Sequence, residues 1–202
     1  MLRVGLTGGL ATGKSLVGEA LAGLGCYLIK ADELGHKVLL PGAEAYDAVV
    51  REFGRGILDS HGLIDRKALA VEVFSTPERL ALLNSLVHPP VIAREEVELA
   101  AIQARDPGAI AVVEAAILIE CGSYKRFEKV ILAVCDEEQQ LERAVLRGGI
   151  SREEARARIN RQMPLAQKRK YADYIIDTSG TKEDTLLQTR EVYNSLRSTP
   201  QC

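Results

Sequence analysis

The stretch Leu2-Arg3-Val4-Gly5-Leu6-Thr7-Gly8-Gly9-Leu10-Ala11-Thr12-Gly13-Lys14-Ser15 decides how the rest of the chain is read. It opens as an apolar run of strand length and continues into a match to GxxxxGK[ST]. Apolar residues then recur at helical spacing, at Leu16, Val17, Ala20, Leu21 and Leu24, until Gly25 closes the run. Strand, glycine-rich loop and helix, in that order, are what a phosphate-binding loop requires. Phosphate oxygens need many donors in a small concavity, and glycines let the backbone curl so that successive N–H groups point inward at a helix start. The pattern predicts that Gly8, Gly9, Ala11, Thr12 and Gly13 cradle the phosphates of ATP, that Lys14 reaches the β- and γ-phosphates, and that Ser15 places its hydroxyl on Mg²⁺. A glycine-rich turn followed by a surface lysine is the competing reading, and the strand-loop-helix context argues against it.

Four further apolar runs of strand length, residues 26–30, 109–114, 129–135 and 174–177, alternate with longer stretches of helical period. The chain therefore reads as α/β, a P-loop NTPase-type doubly wound parallel sheet of five strands with ligands at the strand ends and the second strand beside the first. No strand signal falls between the second and third runs, which is far more chain than a crossover needs. A helical acceptor-binding insertion is expected over about residues 33–108, with helices near 43–53, 66–74, from Pro77 after Thr76, and again after His88-Pro89-Pro90. Residues 136–170 read as a lid segment, basic at Arg152, Arg156, Arg158, Arg161, Lys168, Arg169 and Lys170, with a helix capped by Ser151 and Glu154. One kinase-sized domain, residues 1–202, contains these parts around a core of 1–30, 109–135 and 171–202.

Composition narrows the partners. Apolar residues make up 47%, and 26 basic side chains nearly balance 28 acidic ones, which argues against a general nucleic-acid binder. The first residues hold no apolar stretch long enough for a signal peptide or membrane span, so a cytoplasmic location without membrane attachment is expected. Cys26, Cys121, Cys135 and Cys202 are scattered, with no CxxC pair, and are expected as reduced thiols, Cys26 and Cys135 among buried residues.

The loop does not say whether the phosphoryl group goes to water, a protein or a small molecule. Asp32, just past the second strand, can take a proton from an acceptor hydroxyl or cap the following helix. Arg143 and Arg147, a turn apart, can clamp the transferring group under a closing lid, or pair with Glu142, Glu153 and Glu154 on a solvated face. Glu114, ending the third strand, can hold a magnesium-bound water or serve only as a turn group. His88, before two prolines, can start a helix or face the acceptor.

Several separated pieces, taken together, resemble the dephospho-coenzyme A kinase family. They are Leu6-Thr7-Gly8-Gly9 with the loop, Ala31-Asp32, Ile64-Asp65-Arg66 with Leu69 and Phe74, His88-Pro89, Leu118 with Glu120, Arg143 with Arg147, Gln162 with Lys168, and Ala172-Asp173 before Ile175-Ile176-Asp177. The resemblance implies transfer of the γ-phosphoryl group of ATP, with Mg²⁺, to the ribose 3′-hydroxyl of dephospho-coenzyme A, the last step of coenzyme A synthesis. Asp32 would then be the base, Arg66 and His88 would lie on the acceptor side, and the lid would carry Arg143 and Arg147. Four positions depart from the family pattern: Lys30 for a usual aspartate, Leu16 for threonine near the α-phosphate with its backbone N–H kept, Ala116 for proline, and Thr178 for asparagine. A nucleoside or nucleoside-monophosphate kinase shares most of these features, and a slow nucleotide-hydrolysing switch shares the loop, although no NKxD sequence is present.

Overall fold

A computed structural model describes residues 1–73 and 76–199, so Phe74 and Cys202 lie outside the described residues. Five strands form one parallel sheet: β1 (Leu2–Gly8), β2 (Tyr27–Lys30), β3 (Ile110–Glu114), β4 (Lys129–Val134) and β5 (Tyr174–Asp177). Each lies within a residue or so of an apolar run in the sequence. A parallel strand is covered on both faces and so reads as continuous Val, Ile and Leu. The order is β2-β3-β1-β4-β5, which corrects the expectation that β2 lies beside β1. All five residues of β3 are buried, so this strand takes an interior position, pairing Leu2 with Ile110 on one side and Tyr27 with Ala111 on the other. In β2 only Ile29 is buried, which suits an edge.

The chain divides into two compact units, Met1–Lys30 with the residues from Ala101 on, and Ala31–Ala100. In the first, α1 (Lys14–Gly23) and α9 (Lys182–Arg197) cover one face of the sheet. Val17, Leu21, Val192 and Leu196 pack there on Leu2, Val4, Leu6, Val112, Ile131 and Ile176. Three helices stand between β4 and β5: α6 (Glu137–Gly148), α7 (Arg152–Asn160) and α8 (Leu165–Lys168). The Ser151–Glu154 capping box at α7 forms as its sequence predicts. Cys26 and Cys135 are buried free thiols, and burial pushes the Cys26 pKa up to about 11.

The second unit is helical, with α2 (Ala31–Lys37), α3 (Tyr46–Phe53) and α4 (Arg66–Val73) followed by α5 (Pro77–Arg105). Thr76 starts α5, its hydroxyl and carbonyl accepting from Arg79 N and Leu80 N. The helix then runs through Pro89 and Pro90 without a break, so His88 is an interior residue and not a helix start. Each proline lacks an N–H, and one inside a helix costs about 3 kcal/mol. Burial of Val91 and Leu99 further along the same helix works against that loss. No described helix is long and apolar enough to cross a membrane.

Candidate functional site

The loop between β1 and α1 is held from outside by side chains. Gln162 Oε1 accepts from Leu10 N at 2.8 Å, and Gln140 Nε2 donates to Leu10 O at 2.7 Å, so both backbone polar groups of this one residue, and with them the peptide planes on either side of it, are fixed. A Cβ on Gly9 would stand 2.6 Å from that same Gln140 Nε2 and would push aside the amide that holds Leu10 O. Further along, Thr178 Oγ1 donates to Thr12 O at 2.9 Å. Gly13 has φ +78, a left-handed turn into α1, and Ala11 adopts φ +55 although it carries a Cβ. The N–H groups of Lys14 and Ser15, which precede the first intrahelical bond of α1, are available to an anion. Leu16 N already donates to Gly13 O at 3.0 Å, so the side chain is what Leu16 adds to the site.

Lys14, Ser15 and Glu114 come together beneath the loop. Glu114 Oε1 accepts from Lys14 Nζ at 3.0 Å and from Ser15 Oγ at 2.9 Å. Strand register explains the meeting: Leu6 pairs with Glu114, so β3 ends level with the strand that feeds the loop. The carboxylate is only 5% exposed, and its Oε2 has no hydrogen-bond partner. Burying such an oxygen without a partner is costly, and a hydrated cation is one group that relieves the cost. Oxygen donors from Ser15 and Glu114 are the hard ligands that Mg²⁺ takes, so the residues present fit it.

Arg143 and Arg147 face one cleft of about 360 Å³, lined also by Ala11, Gly13, Leu16 and Thr178. Arg143 turns to Thr178 and not to Glu142, Glu153 or Glu154. Its guanidinium donates to Thr178 Oγ1 at 3.0 Å and to Thr178 O at 2.7 Å. Thr178 thus links Arg143 to the loop, a role that a threonine after a strand does not advertise in sequence.

Lys168 differs from the expectation of a basic lid residue. It is wholly buried, its Nζ donating to Gly8 O at 3.3 Å and Ala116 O at 3.0 Å and pairing with Glu120 Oε1 at 2.8 Å. Sequence reading also missed Gln140, because a helical glutamine normally signals nothing but a surface.

In the helical unit Asp32 is the second residue of α2, inside the first turn, so it is not the N-cap. Asp32 and Arg66 both bear on exposed His36, whose pKa is lowered first by partial burial and then by the Arg66 charge, with Asp32 and Glu33 opposing. His88, half-buried midway along α5, has its pKa lowered by burial. Lys30, the departure next to Asp32, sits 3.6 Å from Glu19 Oε1 on α1.

A five-stranded parallel sheet in this order, with its anion loop between the first strand and first helix, places the chain among the P-loop kinases. The family description Dephospho-CoA kinase matches residues 2–184. A dephospho-CoA kinase of Aquifex aeolicus is 40% identical over 200 residues, covering 99% of this chain and 100% of the relative. One from Geobacillus kaustophilus is 42% identical over 187 residues, 93% of this chain and 92% of the relative. The solved dephospho-CoA kinase from Campylobacter jejuni superimposes with a TM-score of 0.70 at 28% identity, over 96% of each chain. The chain belongs to the dephospho-CoA kinase family.

Proposed function

We propose that this protein transfers the γ-phosphoryl group of ATP to the ribose 3′-hydroxyl of dephospho-coenzyme A, giving coenzyme A and ADP. The observation that carries the reading is the Lys14–Ser15–Glu114 group beneath a preformed anion loop, in a chain of this family. The loop amides and Lys14 hold the phosphates, Lys14 exchanging Glu114 for the β- and γ-oxygens as ATP enters. Ser15 and Glu114 would hold Mg²⁺, which supplies charge neutralisation at the β- and γ-phosphates. Arg143 and Arg147 bring positive charge to the nucleotide from the cleft wall.

Asp32 acts as the base. Its carboxylate takes the proton of the 3′-hydroxyl, the freed oxygen forms a bond to the γ-phosphorus, and the bond from that phosphorus to the bridging oxygen breaks to release ADP. What supports this assignment is its place in the chain two residues after the end of β2, since open parallel sheets take their ligands beyond the carboxyl ends of their strands. Arg66, beside the same His36 that Asp32 influences, is the cation for the acceptor's phosphates, and His88 completes the acceptor side.

The test is an acceptor screen with ATP and Mg²⁺, reading product by mass. Phosphorylation of dephospho-coenzyme A, with AMP and uridine left unchanged, is the expected result. Equal ADP release with AMP, uridine or no acceptor would overturn the reading.

A further inference from the structure

A lysine with no exposed surface must satisfy three N–H donors and one charge away from water. Lys168 does so with three acceptors, Gly8 O, Ala116 O and Glu120 Oε1, and has no donor left for a nucleotide. What it grips is informative. Gly8 is where β1 passes into the anion loop, and Ala116 lies two residues beyond Glu114. Ala116 O also accepts from Thr7 Oγ1 at 3.3 Å, and Glu120 Oε1 also accepts from Met163 N at 3.2 Å. One ammonium therefore ties together the two strand ends that present Lys14 and Glu114. Six residues earlier on the same segment, Gln162 holds Leu10 N.

Stability alone gives a weak reason for such a group, because replacing a buried ion pair by apolar side chains of similar volume is often neutral. Position gives a stronger one. A carbonyl of the loop that turned toward the phosphates would repel them, and the Gly8 carbonyl is committed to a cation instead. Resting on the nucleotide-loop reading above, we infer that Lys168 is a positioning residue for phosphoryl transfer, setting the anion loop and Glu114 in register without touching either substrate.

The test uses Lys168→Met and the double variant Lys168→Met/Glu120→Gln, which leaves no unpaired charge and keeps an oxygen for Met163 N. Both are measured for kcat and for the KM of each substrate, with melting temperature alongside. Misplacing a reactive group by about 1 Å costs about 10²-fold. The expected result is a fall of that order in kcat/KM for ATP, with KM for ATP raised about tenfold or more and KM for dephospho-coenzyme A within about twofold of the parent. A merely structural lysine lowers the melting temperature and the active fraction but leaves KM for ATP within about twofold, and that outcome in the folded double variant would overturn the inference. A parent enzyme without ATP-dependent turnover would instead overturn the reading on which it rests.

Discussion

Glu114→Gln is the most informative single change, because Glu114 has two opposed effects on ATP. Without nucleotide, Lys14 and Ser15 both rest on one of its oxygens, with Lys14 Nζ at 3.0 Å. At that distance, with an effective dielectric of about 20, the charges attract by about 5–6 kcal/mol. Removing one partner of a buried pair costs about 3–5 kcal/mol, and glutamine keeps an oxygen for both donors, so about 3 kcal/mol is expected. In a chain of this size, that loss lowers the melting temperature by about 6–12 °C. Binding of metal-free ATP should move the other way. Lys14 no longer leaves a carboxylate to reach the phosphates, and no unpaired carboxylate remains near them, so affinity should rise by about 10–10²-fold. With Mg²⁺, kcat should fall about 10²-fold, because the carboxylate proposed to hold the metal with Ser15 would be gone. Differential scanning fluorimetry reads the first effect, titration calorimetry in EDTA the second, and steady-state turnover with Mg²⁺ the third. A melting temperature unchanged within about 1 °C, or weaker metal-free binding, would refute the reasoning.

Other substitutions test separate parts. Ala11→Gly should stabilise the protein by about 0.5–1 kcal/mol, since left-handed alanine costs about 1–2 kcal/mol and glycine returns about 0.4–1 kcal/mol to the unfolded chain; a fall in melting temperature would contradict the φ of +55. Asp32→Asn should lower kcat by about 10²–10⁴-fold with KM for ATP unchanged, and a kcat within a few-fold of the parent would remove Asp32 from catalysis. Burial holds His88 below its ordinary pKa of 6.5, so protonation is resisted in the folded state. The unfolded chain then binds more protons, and stability is complete above pH 6.5 and falls as pH drops from there toward the folded value. His88→Gln should flatten the thermal-stability profile between about pH 7 and pH 5, and parallel profiles for parent and variant would count against it.

Strands and loop were legible in the sequence because each is specified by its own residues. A parallel strand is apolar on both faces, and an anion loop needs its glycines, lysine and serine at fixed offsets. Sheet order was not legible, since a strand's own residues do not say which neighbours it pairs with, and it is the pairing of β3 with β1 on one side and β2 on the other that separates the two. His88-Pro89-Pro90 misled for a related reason: local preference argues for a break, and packing further along α5 overrides it. Lys168 misled most, because its partners Gly8 O and Ala116 O are backbone carbonyls, which any sequence carries and no pattern marks. The same fact bears on the positions where the sequence departs from the pattern that its resemblance implies. Thr7 and Lys168 use the carbonyl of residue 116, which proline and alanine both have. Lys30 turns to Glu19, and Thr178 meets Thr12 O with a hydroxyl where asparagine would offer an amide. Side chains proposed to act on the substrates are therefore constrained by type, while for those that hold the loop the sequence can name a residue such as Gln162 or Lys168 but not the backbone atoms that it reaches.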